Sequence, residues 1–591
     1  MDTPNRPPDG EERAPSSSPE GLSPPVHLDL GFAAGPTTPN RGGPPAVRRA
    51  LFVAVAVILL VGIAAVGVKF FGLRGTRDLA SRMVPANTDV YATIYLDPSL
   101  NQKMHVRDLL RKFPALNTDT GLNHRLDQFL EQALSETGLS FTKDVRPWLG
   151  TQVAVASRAS ASGVLIASKD DVTATRLLGR IRNTPQGREL TWAEHAHGGL
   201  TVSVGTPESD FGRPVVYSYV DHTAVIGNDE RLVDAIIDTS QGVGRSLESS
   251  ESYRRAIAPL PAERLGTIYV NLVPVLRNLK EALELSPFRA GLSTGLDQID
   301  ALSGLGVSMS AQANGLAADI NITLNRSRLT ADTRDFLETG EHRNAALDWL
   351  PDDTYGFVAG NGTRRGLEQA ILEATGSDAE AARAVHDLGV VGPEGVISHL
   401  TGDMVIEVGP GAGQLPDGAV LVGTHDAAGM QRFLDKLARL ATEEFRGFGD
   451  SRVRIEWQRE TYRGVTIASV PLHDLGPGGP SPAYAVFDGM AILASSPEEI
   501  KELMAVHAGG TSISSSPNFR DAAAEANLNN DGMIFVDMEA VVGAIRGVLP
   551  PEFNQEFDRE AGPNLAPIKS FIFTAQHRSD RLTARIFVVI R

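Results

Sequence analysis

The chain has 591 residues and no cysteine, so any chemistry must come from imidazoles, carboxylates, hydroxyls or amines. Thiol nucleophiles, thiolate zinc sites, disulfide scaffolds and acylation at a cysteine are excluded. Glu194-His195-Ala196-His197 brings two imidazoles together. In a strand, residues two apart share a face, so His195 and His197 would point the same way, as two nitrogen ligands of one metal ion do. No third ligand is evident from the sequence. Gly291-Leu292-Ser293-Thr294-Gly295 has the spacing of a nucleophile elbow. That motif needs a strand before the serine, whereas ALELSPFRA reads as a helix end broken by proline, which makes the segment a loop. Asn527-x-Asn529-x-Asp531-Gly532 starts like a calcium loop, but the acid required six residues after the glycine is Met538. A tight turn is expected there. The glycines from Gly409 to Gly413 lie between two strands and precede no Lys-Ser/Thr, so they do not form a phosphate loop. Arg254-Arg255 and Arg364-Arg365 read as solvated faces. No Ser/His/Asp trio can be assembled. The sequence assigns no catalytic, cofactor-binding or metal residue.

The elements that would position such groups recur along the chain. VYATIYLDPS (90–99), LGTIYVNLV (265–273), TYGFVAGNG (354–362) and GMIFVDMEA (532–540) are short strands, each after a turn. Behind each comes helical sequence and then a pair of alternating strands, a β-α-β-β unit used four times. A longer offset joins them in pairs. Tyr217 matches Tyr484 and Asp221 matches Asp488, Pro85 matches Pro351, and Gly199 matches Gly464. The segment matching His195 and His197, around Glu460-Thr461-Tyr462, has no histidine. Several segments at nearly one offset predict a tandem duplication, 84–330 and 345–591, joined by a helical stretch. Gln312-Ala313-Asn314-Gly315 reads as a hairpin turn. Asp97-Pro98 reads as a helix cap followed by proline, and Ser496-Pro497-Glu498-Glu499 as a capping box. Hairpins dominate, so the expected class is α+β, with antiparallel sheet carrying helices on one face. Tyr95, Tyr269, Phe357 and Phe535 are expected at equivalent buried places.

The first eighty residues have a different composition. Residues 1–46 are rich in Pro, Ser and Gly and show no apolar period, so they are expected to be a disordered tail. Ala50 to Val68 carries no charge and is long enough for a single transmembrane helix. The apolar run exceeds that of a cleaved signal, and Lys69-Phe70-Phe71-Gly72 offers no cleavage site, so an uncleaved signal anchor is expected, with residues 69–83 as a stalk. Basic residues flank both ends and leave the orientation undecided. The chain has a net charge of −17, and the part after residue 84 has −19. That argues against nucleic acid as a partner and against contact with an anionic membrane surface.

Val84-Pro85-Ala86-Asn87-Thr88, Tyr95-Leu96-Asp97-Pro98-Ser99 and Leu109-Leu110-Arg111-Lys112-Phe113-Pro114 resemble the opening of a bacterial family known only as domain of unknown function 3352. The strand pair at 484–494 is similar as well. The resemblance implies a single-span membrane protein with a cytoplasmic N-terminus and a large extracytoplasmic part, and it implies no activity. The expected function is that of a membrane-anchored envelope protein, a non-catalytic binding or scaffolding module without a cofactor. Its partner would be a protein, a lipid or a cell-wall ligand. The alternative is an envelope hydrolase whose carboxylates converge from distant strands. A chain beginning near Arg77 is expected to fold without the tail. One cooperative thermal transition would bear that out, and failure to fold would show that the tail is part of the structure.

Overall fold

The computed structural model describes residues 78–591 apart from 115–130, 133–139, 209–211, 285–298, 339, 363, 365, 369–370, 372–374, 376–378, 393, 412–415, 448–455 and 472–480. The expected tail (1–46), transmembrane helix (50–68) and stalk up to residue 77 lie outside the described residues. Among the described residues no helix is long and apolar enough to cross a membrane.

Among the described residues, twenty strands form one antiparallel sheet. The first ten are Val90–Tyr95 (β1), Leu149–Arg158 (β2), Ala161–Ser168 (β3), Leu190–His197 (β4), Leu200–Pro207 (β5), Val215–Val220 (β6), Thr223–Gly227 (β7), Gly266–Asn271 (β8), Leu302–Gln312 (β9) and Gly315–Leu324 (β10). The second ten are Gly356–Gly360 (β11), Leu400–Gly409 (β12), Asp417–Thr424 (β13), Gln458–Tyr462 (β14), Val465–Ser469 (β15), Ala483–Phe487 (β16), Met490–Ala494 (β17), Gly532–Asp537 (β18), Ile568–Arg578 (β19) and Arg581–Ile590 (β20). In the first set the neighbours run β4-β5-β6-β7-β3-β2-β1-β8-β9-β10. In the second they run β20-β19-β18-β11-β12-β13-β17-β16-β15-β14. β10 pairs with β20 and makes the sheet continuous.

Local sequence explains the tight connections. The β6–β7 turn places Asp221 and His222 at φ of 42° and 58°, and the β16–β17 turn places Asp488 and Gly489 at 47° and 76°. Two residues with positive φ match the right-handed twist of a hairpin, and Asp and Gly tolerate that conformation best. The expected turn at Ala313-Asn314 is present, with Gln312 opposite Gly315. The expected cap at Asp97 is not. The helix is Leu100–Leu110, and Ser99 caps it by accepting from the Gln102 amide. Asp97, buried, pairs with Lys103 instead.

Helices cover both faces of the sheet, not one. Consecutive residues of a strand face opposite ways, and here both faces are apolar. Ile467, Ala485 and Ile492 pack with Ile500, Leu503 and Met504 of the helix Pro497–His507. Their neighbours Ala468, Tyr484 and Ala491 pack with Met430, Leu434 and Ala438 of the helix Ala427–Gly447. In the first ten strands, Val216 and Val225 meet the helix Glu230–Ser240, while Tyr217 and Ala224 meet the helix Asp171–Arg180.

Buried aromatics sit at the centre of each set. Tyr91 lies opposite Tyr269, and the Tyr253 ring is 6.1 and 5.2 Å from them. Phe357 lies opposite Phe535, and the Phe519 ring is 5.9 and 5.1 Å away. Tyr91, not Tyr95, therefore takes the place corresponding to Phe357. The two tyrosines are four residues apart on one face, so the sequence pattern alone does not separate them. The end of the expected stalk is tied to the first cluster. Asp78 accepts from the Tyr91 hydroxyl at 2.5 Å, Gln152 Nε2 at 2.6 Å and the Tyr253 hydroxyl at 3.1 Å.

Two carboxyls meet in the core of the second set of strands. The buried Glu407 on β12 and Glu499 in the first turn of Pro497–His507 converge from distant parts of the chain. Ser496 accepts from the Glu499 amide as a capping box requires, but the Glu499 carboxyl turns toward Glu407 and not back to the cap. Burial raises both carboxyls above the usual range, and the Glu499 charge adds to the rise at Glu407. Glu502 and Asp417 also add negative charge around Glu499.

Phe535→Ala and Tyr269→Ala are each expected to cost about 3–5 kcal/mol in denaturant unfolding, the cost of emptying a full-sized core position. The glutamate pair sets a pH dependence. Groups whose pKa is raised by folding contribute stability that is fully present below the ordinary carboxylate range. It is lost as pH rises through the raised values. Wild type should therefore lose more stability between pH 5 and pH 8 than Glu407→Gln, by on the order of 1–3 kcal/mol. Equal losses in the two proteins would show that the pair is not held protonated.

Candidate functional site

The pairing of β10 with β20 places a row of polar residues on one face of the ladder. Asp319 lies opposite Arg585, and Asn321 lies opposite Thr583. Residues two apart share a face, so these four project together, on the side covered by the helix Glu251–Ile257. A cavity of about 300 Å³ lies at this seam. Asp319, Asn321, Thr583 and Arg585 line it, with Thr574 and Gln576 of β19, and Glu525 and Asn527 beyond the helix Pro517–Ala523.

Its polar groups are held from behind. Asn321, fully buried, donates through Nδ2 to the carbonyls of Arg255 at 3.0 Å and Ala256 at 2.8 Å. These belong to the last turn of a helix, whose carbonyls have no partner within the helix. Arg585 Nη1 meets Asp319 Oδ1 at 3.0 Å, and Nη2 meets Glu525 Oε2 at 3.5 Å. Burial raises the pKa of Asp319 although Arg585 opposes the rise. Three buried polar atoms remain without a hydrogen-bond partner: Asp319 Oδ2, Asn321 Oδ1 and Arg585 Nε. Buried polar groups are almost always paired, so two acceptors and one donor are left for a small polar guest or for water. The lining offers two threonine hydroxyls, two carboxylates, three side-chain amides and one guanidinium, groups able to hydrogen-bond a polar guest.

The residues singled out in the sequence lie elsewhere. His195 and His197 share a face of β4, as expected, and both meet the helix Glu230–Ser240. His195 Nε2 is 3.5 Å from Glu230 Oε1 and 3.6 Å from Asp234 Oδ1. His197 Nε2 is 2.8 Å from Asp238 Oδ1, and that bond raises the pKa of His197. The Gly291–Gly295 segment lies outside the described residues. Asp531 of the calcium-like run pairs with the buried His577 at 2.7 Å. Asn527 accepts from the Asn529 amide at 3.0 Å, and Asn529–Asn530 pairs with His342–Arg343 as a separate two-stranded ladder. The segment is therefore a short paired strand between two bends, not the tight turn expected from the sequence. Arg254 and Arg255 are exposed, and Arg364 lies 3.6 Å from Glu368.

The seam residues were not found by motif. Their trace in the sequence is Asp319-Ile320-Asn321 and Thr583-Ala584-Arg585, polar residues at alternate positions of the two strands. The converging carboxylates that a hydrolase would require do occur, as Glu407 and Glu499, but neither lines the seam cavity.

No curated protein matches the chain. Two solved structures, crystal forms III and I of TP0453, show a slight likeness. Identity is 11% in both, TM-scores are 0.23 and 0.24, and the match covers 45% of this chain and 89% or 88% of the other. A likeness of that size carries no inference. A family model described as "Protein of unknown function (DUF3352)" matches residues 52–589. The match runs from the apolar N-terminal segment to the last strand of the seam, and the chain belongs to this family.

Proposed function

We propose that the protein is a membrane-anchored, extracytoplasmic binding module of the cell envelope. Residues 1–46 form its cytoplasmic tail, 50–68 its single transmembrane helix, and 84–330 and 345–591 two related α+β repeats. The seam cavity carries the binding part of this reading. It is closed by both sets of strands, and its lining holds two acceptors and a donor without partners. A guest that fits presents two hydrogen-bond donors to Asp319 and Asn321 and an acceptor to Arg585, as an amide-bearing fragment does. Pockets between two subunits or domains are common binding places.

Constant offsets support the repeats. Isolated bridges join Pro85 to Ser246 and Pro351 to Ser512. The Leu247 amide donates to the Val84 carbonyl and the Ile513 amide to the Leu350 carbonyl. Thr88 and Thr354 each close a turn on the proline carbonyl three residues back. A contiguous apolar row, Val358, Ile406, Val420 and Leu493, crosses four strands on the face opposite Glu407, and three of its members are exposed. Such a row suits a scaffolding surface better than a hydrolytic cleft.

The test is native mass spectrometry of the full chain extracted from its own membranes in mild detergent. Wild type should carry a small adduct of one mass, and Asp319→Asn, which keeps an oxygen for Arg585 and replaces the free acceptor by an N–H, should lose it while keeping the wild-type melting temperature within a few degrees. A wild-type chain that carries no adduct, or a variant that keeps it, overturns the binding reading. Protease added to intact spheroplasts should digest residues 84–591 and spare an N-terminal tag. The reverse pattern would overturn the proposed orientation.

A further inference from the structure

We propose that His195, Glu230 and Asp234 form a binding site for a divalent transition-metal ion of the zinc class. The helix Glu230–Ser240 presents Glu230 and Asp234 one turn apart on one face, since residues at i and i+4 are neighbours on a helix surface. β4 brings His195 over them. The three ligand atoms lie within 4.8 Å of one another.

The distances distinguish this group from an ordinary ion pair. His195 Nε2 stands 3.5 Å from Glu230 Oε1 and 3.6 Å from Asp234 Oδ1, too long for a good hydrogen bond. Two ligands that each lie ~2.0–2.2 Å from a tetrahedral zinc ion are about 3.3–3.6 Å apart. Asp234 Oδ1 is buried and has no hydrogen-bond partner, so a carboxylate oxygen is left unsatisfied where the ion would sit. One imidazole and two carboxylates make three protein ligands, and the exposure of Glu230 leaves a fourth position for water. His197 stands beside the site, fixed by Asp238 at 2.8 Å, with Nδ1 3.8 Å from Asp234 Oδ2.

Two other groups show what a completed contact looks like. Glu460 lies opposite Ile467 on β14 as His195 lies opposite Val202 on β4. It pairs with Lys501 of the helix Pro497–His507 at 2.7 Å. That contact is closed and has no place for a cation. In the group Glu341, Asp531 and His577, Glu341 already accepts from Gln576 at 2.9 Å and Arg578 at 3.2 Å, and Asp531 from His577 at 2.7 Å. Of these groups among the described residues, the His195 group keeps a free buried oxygen, and its two imidazole–carboxylate distances match ligands on one ion.

The experiment titrates Zn²⁺ into the full chain in detergent after chelator treatment, and then counts bound zinc after gel filtration. Wild type should retain one equivalent. Asp234→Asn keeps the shape and removes the charge, and His195→Ala removes the nitrogen. Each should weaken binding by at least about tenfold. Lys501→Ala should bind zinc as wild type does. Melting curves in chelator, unchanged in the variants, separate loss of metal from loss of fold. With Co²⁺ as probe, wild type should give visible d–d bands that both variants lack. A wild-type chain that retains no stoichiometric zinc overturns the proposal, as do variants that bind it equally well.

Discussion

The β10–β20 ladder is the constraint on which the rest depends. Its register runs from Gly315 opposite Val589 to Thr323 opposite Arg581. Without it the molecule would be two ten-stranded sheets, each with a long open edge, and such edges pair with other chains. With it each set closes the other's edge. A slip of one residue would turn Phe587 and Val589 from the core to the opposite face. The same register sets Asp319 against Arg585, so the polar cavity depends on the pairing that closes the edge.

Much of the fold was legible in the sequence because hairpins are local. The turns at Asp221-His222 and Asp488-Gly489, and the hairpin at Ala313-Asn314, follow from residue types and the two-residue period. What pairs at long range was less legible. Nothing near Glu407 announces Glu499, since a capping box reads the same whether or not its glutamate folds inward. The helices on both faces were missed because small residues such as Ala468 and Ala491 mark a buried face without a strong pattern. Tyr95 was put in Tyr91's place for a similar reason: residues four apart on one strand face look alike until the partner strand fixes the register.

The candidate sites show the same division. His195 and His197 were legible as a pair, but their partners were not, although Glu230, Asp234 and Asp238 have the spacing of one helix face. The missing step was the packing of β4 over that helix, which depends on the third dimension. The seam cavity had only its alternating polar residues as a signal. Asp319 and Arg585 lie far apart in sequence, and their contact depends on a ladder that no local rule predicts.

Asp78 gives the fold a fixed point of attachment. Its carboxylate is gripped by Tyr91, Gln152 and Tyr253, which come from β1, β2 and the helix Glu251–Ile257. Tension along the chain from residue 77 would therefore enter at the middle of the sheet, spread over three elements, and not peel a terminal strand from its edge. Peeling breaks ladder bonds one at a time, whereas a load shared among buried groups must break them together.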